Sequence, residues 1–235
     1  MEFQKISSPS LRELFIQQLE HMILSGKLKI GEKLPPERQL AEMMQVSRAV
    51  VNSGISDLER KGFLTVKPRS GTYVADYRRK GTIDTLLSIM QYNGGRIRND
   101  EIRSIFEVRI ALDTLAAQLC IDRISDDEIE LLYEKIEKIR KAASTGEAIK
   151  AAFEFQHEFA LLSQNTLIPL IFQSFRAPIF TMWERFIDLY GIDALYESNY
   201  KMWSYIRDRD TEGAIQWIQH SMGECINGNK QIYYE

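Results

Sequence analysis

The chain has 235 residues, 44% of them hydrophobic, enough to bury a core in one large domain or two small ones. Its net charge of -3 hides an asymmetry, since residues 1–80 hold 14 Lys and Arg against 9 Asp and Glu, and the remainder 16 against 24. Two distant cysteines, Cys120 and Cys225, argue against a disulfide framework and for a reducing cytoplasm; the start of the chain reads as no secretory signal, and no run of ~18 apolar residues is present to span a membrane.

The first expected helix runs from about Ser10 to Ser25, with Leu11, Leu14, Phe15, Leu19, Met22 and Ile23 at helical spacing and Gly26 as the stop. Pro35 and Pro36 break the following segment, and Pro36 suits the first turn of a second helix over Glu37 to about Met44. A tight turn at Gln45-Val46 leads to Ser47, a good N-cap for a third helix from about Arg48 to Lys61 that buries Val50, Val51, Ile55 and Leu58. Gly62 ends it. The period then changes: Phe63–Val66 and Thr72–Val74 are β-prone, with Lys67-Pro68-Arg69-Ser70-Gly71 as the turn between them. Three helices and a two-stranded wing make a winged helix-turn-helix, expected over residues 1–76.

Residues 77–82 are polar and read as a linker, and residues 83–235 as an all-α bundle. Helices are expected at about 83–93, 99–122, 126–143, 147–164, 166–190, 192–208 and 211–229. Acidic starts at Asn99-Asp100-Glu101, Ser125–Glu128 and Asp210-Thr211-Glu212 suit the positive end of a helix dipole. Pro169 and Pro178 kink or divide the apolar stretch that holds them. No GxSxG, Walker loop, HExxH or HxE…PCxxC pattern is present, so no catalytic set is expected.

The stretch GEKLPPERQLAEMMQVSRAVVNSGISDLERKGFLTVKPRSGTYV resembles the GntR-family signature: a Gly before Leu-Pro-x-Glu-Arg, a Val-Ser-Arg start to the recognition helix, a Leu-x-x-x-Gly exit and a Gly-containing wing. The resemblance covers roughly residues 10–75. It implies a DNA-binding role for Arg38, Ser47, Arg48, Ala49, Asn52, Lys67, Arg69, Ser70 and Gly71. The chemistry is compatible. Arg48 opens the recognition helix, where an arginine can pair with guanine O6 and N7, and the Ser47 hydroxyl with the helix-start amides can hold a phosphate. The wing tip reaches the minor groove in this family, with Lys67 adding backbone charge. Each residue also has a plainer reading: Ser47 as a cap, Arg38 as an i,i+4 partner of Glu42, Lys67 and Arg69 as solvated charges. The family's arginine four residues after the Val-Ser-Arg arginine is replaced by Asn52, which favours adenine N6/N7 and so implies an altered half-site.

The helical half is similar to the C-terminal domain of the FadR subfamily, on Glu107-Val108-Arg109, FEFQHEFALLSQN and RDRDTEGAIQWIQHSM. Many members hold a divalent metal through one Asp and three His. Here the corresponding positions carry Ala152, Gln156, Asn199 and Ser221, so no metal and no other cofactor is expected. A one-residue slip would offer only His157 and His220. The resemblance then implies an effector site of Arg109, Gln156, Asn199 and Ser221. Arg109 either clamps a carboxylate or phosphate or forms an ion pair with Glu107 or Asp113. The expected partners are a palindromic double-stranded operator, a second copy of the chain and a small organic effector, an organic acid or an acyl-CoA, with no membrane. The rival expectations are a metal-storage or enzymatic bundle, for which Glu154–His157 is one ExxH pair without a second, and an architectural DNA protein without a ligand.

Overall fold

In the computed structural model, residues 9–91 and 99–233 are described. Two compact units divide the chain, Met1–Gly94 and Gly95–Glu235.

The first unit is a winged helix. α1 (Leu11–Leu24) starts on a capping box in which Ser10 Oγ accepts from Glu13 N and the Glu13 carboxylate accepts from Ser10 N at 2.7 Å. α2 (Glu37–Met44) follows Pro36 and ends where Gln45 takes a left-handed conformation, φ 52°. That reversal sets up α3 (Arg48–Arg60), with Ser47 accepting from Val50 N at 3.3 Å as its cap. Phe15, Leu19, Val51, Ile55, Leu58 and Phe63 form the centre of one core. β1 (Leu64–Lys67) and β2 (Gly71–Val74) pair antiparallel, Leu64 opposite Val74 and Lys67 opposite Gly71. The 31–34 segment runs along the free edge of β2, Leu34 N donating to Thr72 O and Val74 N to Glu32 O. Glu59 Oε1 accepts from Val66 N at 2.8 Å, which ties the wing to α3.

The expected linker forms one helical turn, α4 (Tyr77–Lys80), and α5 (Ile83–Gln91) belongs to the winged unit rather than to the bundle. The reason is a set of polar ties to the end of α3. Arg60 pairs with Asp84 at 2.5 Å, Lys61 Nζ donates to Ser88 Oγ at 3.0 Å and pairs with Glu20 at 2.8 Å, and Thr85 Oγ1 donates to Lys61 O. The last two residues of the expected 83–93 helix lie outside the described residues.

The second unit is helical among the described residues: α6 (Asn99–Cys120), α7 (Asp126–Arg140), α8 (Thr145–Leu162), α9 (Ile168–Ser174), α10 (Arg176–Arg207) and α11 (Thr211–Asn227). Ser125 and Glu128 form a second capping box, and Asp210 caps α11 through Gly213 N at 2.8 Å. The expected division of the proline-bearing stretch falls at Phe175, between Pro169 and Pro178. A second break falls at Gly191, φ 84°, between the helices expected at 166–190 and 192–208. α6 packs on α8 and α11, and α10 on α7, α8 and α11, around Ile121, Leu132, Ile136, Phe155 and Ile206. Trp203 Nε1 donates to Ile129 O at 3.1 Å, joining α10 to α7. No helix is long and apolar enough to cross a membrane among the described residues.

Candidate DNA-reading surface and ligand pocket

The residues singled out in the winged unit fall on two surfaces. Arg48 and Ala49 occupy the exposed first turn of α3, and no ion pair holds Arg48 among the described residues. Arg38 and Arg48 line one shallow groove with Ala41, Glu42 and Val46. Arg38 pairs with Glu42 at 3.1 Å, but both stay largely in water, with side chains 81% and 65% exposed, so the pair is weak and easily exchanged for a phosphate. Ser47 does cap the helix, which leaves its hydroxyl beside the free amides of the first turn. Asn52 lies one turn along; with its amide oriented to donate, it hydrogen-bonds both carboxylate oxygens of Glu37, 3.2 Å to Oε1.

At the wing, Ser70 N donates to Lys67 O at 3.0 Å and Arg69 takes a left-handed φ of 61°, which closes the turn and leaves the Arg69 side chain in solvent. Gly71 has φ 124°, and a Cβ there would come within 2.8 Å of Lys33 Cε. Lys33, unnoticed in the sequence, joins Lys67 over the Tyr73 ring, with Nζ 5.8 and 4.7 Å from the ring centroid. The hydrogen bond with Ser70, and then the two lysines, hold the Tyr73 hydroxyl below its usual pKa. The wing thus presents Lys33, Lys67 and Arg69 together as cations.

In the helical unit, Arg109, Gln156, Asn199 and Ser221 all line one pocket of about 470 Å³. Arg109 is 3% exposed. Its Nη2 donates to Asp113 Oδ2 at 3.1 Å and to Gln156 Oε1, while its buried Nε has no partner. Gln156 Nε2 donates to Asn199 Oδ1 at 3.0 Å, and Asn199 Nδ2 to Leu195 O at 2.8 Å. The guanidinium faces Phe172 and Trp183, 5.5 and 5.6 Å from the ring centroids. Burial raises the Asp113 carboxyl pKa, against the pull of Arg109. Apolar walls come from Phe106, Met182, Trp183, Phe186, Leu195 and Ile232. Burial also pushes the thiol of Cys225, another lining residue, up to about 11, so it stays protonated.

These groups do not fit a divalent metal. The four converging side chains are a cation, two carboxamides and a hydroxyl, and Glu197, His220 and Glu224, which also line the pocket, do not gather into a ligand set. His157 stacks between Phe153 and Phe172, at 5.9 and 6.2 Å, whereas His220 lies on the pocket wall beside Trp217. No group of three or more His, Cys, Asp or Glu converges among the described residues.

Comparison with known proteins agrees with both halves. The family model described as bacterial regulatory proteins, gntR family, matches residues 11–74, and the FCD domain model matches residues 104–223. YcbG of Bacillus subtilis (strain 168), described as an uncharacterized HTH-type transcriptional regulator, is 28% identical over 176 residues, 74% of this chain and 71% of YcbG. Mce2R, an HTH-type transcriptional regulator of Mycobacterium tuberculosis, is 32% identical over 136 residues, 58% of this chain and 56% of its own length. The solved structure of Lar, described as controlling the agr system of Listeria monocytogenes, shares the fold with a TM-score of 0.63 at 16% identity, over 94% of this chain and 97% of that one. The chain therefore belongs to the GntR family, as a transcriptional regulator with an N-terminal DNA-binding winged helix and a C-terminal FCD effector-binding domain.

Proposed function

We propose that this regulator binds a palindromic operator as a cytoplasmic homodimer and that a compact organic carboxylate, held by Arg109 without a metal, controls its DNA affinity. The observation that carries the effector class is the state of Arg109. A guanidinium so deeply buried requires full compensation, and its ion pair with Asp113 at 3.1 Å uses only Nη2 and leaves the buried Nε without a partner. A ligand carboxylate entering the pocket supplies an acceptor for the unpartnered Nε. Gln156 and Asn199, already locked to each other, orient that arginine, and the aromatic walls accept an apolar body. A dimer matches its own two-fold axis to a palindrome, with one recognition helix in each half-site. Arg38, Ser47, Arg48, Ala49 and Asn52 read and anchor the major groove, and Lys67, Arg69, Ser70 and Gly71 the wing contact. Effector binding shifts the dimer between DNA-competent and DNA-incompetent states, and DNA in turn changes effector affinity by the same factor.

The test is an anisotropy titration of the full chain on an operator selected from random DNA, with and without a panel of organic acids and acyl-CoAs. The expected result is a change of about 5–150-fold in DNA affinity with one acid, lost in Arg109→Met. A response to acyl-CoA alone assigns the larger effector class. An unchanged response in Arg109→Met contradicts the role given to the arginine.

A further inference from the structure

The segment after α11 lies beyond residue 223, where the FCD match ends. α11 stops at Asn227, and the chain turns there on one side chain and one carbonyl. Lys230 N donates to Glu224 O at 3.2 Å, and Asn229 N to Glu224 Oε2 at 3.0 Å. Arg103 Nη2 of α6 holds Asn227 Oδ1 at 2.8 Å. Farther along, Tyr190 Oη donates to Gln231 O at 2.8 Å. Tyr190 sits just before the Gly191 break and packs on Phe186, a pocket wall, with ring centroids 5.1 Å apart. The segment so tied puts Lys230 and Ile232 into the pocket lining, and Ile232 is only 1% exposed.

An irregular segment normally runs over the surface with its side chains in water. This one inserts a large aliphatic side chain into a ligand cavity, yet it is held there by few hydrogen bonds, and the tyrosine tie is solvent-exposed. We infer that residues 228–232 are a closing strap on the effector pocket and that Ile232 is a specificity-determining residue, limiting the apolar length of the effector. The inference rests on the Arg109 pocket being the effector site. The strap lifts to admit the ligand and reseats over it, so an acid gains affinity with each methylene only until its chain meets Ile232. Each buried methylene is worth about fourfold in affinity.

The experiment compares the full chain with Ile232→Ala, Ile232→Met and Tyr190→Phe, each checked for native circular dichroism. Tyr190→Phe removes only the hydroxyl that pins Gln231, so the test survives if truncation at 232 prevents folding. The first readout is acrylamide quenching of tryptophan fluorescence, since Trp183 and Trp217 are pocket walls and Trp203 is core. Quenching is expected to rise in Tyr190→Phe and Ile232→Ala. The second is calorimetry with straight-chain acids from acetate to decanoate. Wild-type affinity is expected to climb and then stop; in Ile232→Ala the climb continues for about two more methylenes, on the order of tenfold at the longest acid accepted. Ile232→Met is expected to keep the wild-type limit. Unchanged quenching in both variants, or the same length limit in Ile232→Ala, overturns the strap while leaving the effector reading intact. Increased quenching with no acid bound by any of the proteins overturns the carboxylate reading and upholds the strap as a pocket wall.

Discussion

Gly54, midway along α3, lies so close to Phe15 of α1 that a Cβ on the glycine would collide with the aromatic ring. Phe15 is 2% exposed and sits in the core of the winged unit, so the ring has little room to give way. The glycine sets how closely the recognition helix approaches its supporting helix. Gly54→Ala gains up to about 1 kcal/mol of helix propensity but overpacks the contact, which costs about 1–3 kcal/mol. The variant is expected to be destabilised by about 1 kcal/mol, read from denaturant unfolding. A stabilised variant contradicts this packing.

Arg48 and Lys67 are expected to fail differently on DNA. Arg48→Ala loses about 1–3 kcal/mol on the preferred operator and relaxes specificity at one position. Lys67→Ala weakens binding uniformly across sequences and lowers the salt slope by about one. Anisotropy over a salt series, on specific and scrambled duplexes, separates the two patterns. The same uniform loss in both variants removes base reading from Arg48.

Asn52 stands where the family resemblance implies an arginine, and its amide can donate to Glu37. Glu37 can therefore hold an arginine as readily, so Asn52→Arg is expected to fold and to shift the preferred half-site from adenine towards guanine at one position. Selection from random duplexes reads the outcome. Identical half-sites from both proteins remove Asn52 from recognition.

The pH dependence of stability carries the signature of Asp113. Its pKa is raised in the folded protein, chiefly by burial and against Arg109. The folded state therefore holds its proton more tightly than the unfolded state does. That contribution to stability is complete below the ordinary carboxyl pKa, and it is lost as pH rises through the raised value. Arg109→Met removes the opposing charge, so the decline is expected to extend to higher pH than in the wild type. Denaturant midpoints measured across a pH series test this; a decline that shifts to lower pH contradicts the pairing.

Much of this architecture was legible in the residues. Ser10, Ser47 and Ser125 cap their helices because a hydroxyl in that position satisfies amides the helix leaves free, a local rule visible in sequence. The breaks near Pro169–Pro178 and at Gly191 follow from backbone chemistry alone. The convergence of Arg109, Gln156, Asn199 and Ser221 on one pocket is legible only through family resemblance, since residues 22 to 112 positions apart share no local signal. What escaped the sequence was decided by tertiary contact. Asp84, Thr85 and Ser88 look like an ordinary polar helix face until Arg60 and Lys61 meet them. Lys33 lies 40 positions from Tyr73 and joins the wing only through the edge of β2. Ile232 follows the last helix in a short polar segment, and it is buried beside Gln231, whose carbonyl meets the Tyr190 hydroxyl from 41 positions away.

The most direct test of a metal-free effector site is thermal unfolding of the full chain in EDTA against organic acids, sugar acids and acyl-CoAs. Binding to the native state raises the midpoint, by about 2.7 kcal/mol of added stability at a hundredfold excess over Kd. The account predicts that one carboxylate raises the midpoint undiminished by EDTA and does not do so in Arg109→Met. A midpoint that falls on adding EDTA alone and recovers with a divalent ion would contradict it, and would turn attention to His157 and His220 as ligands.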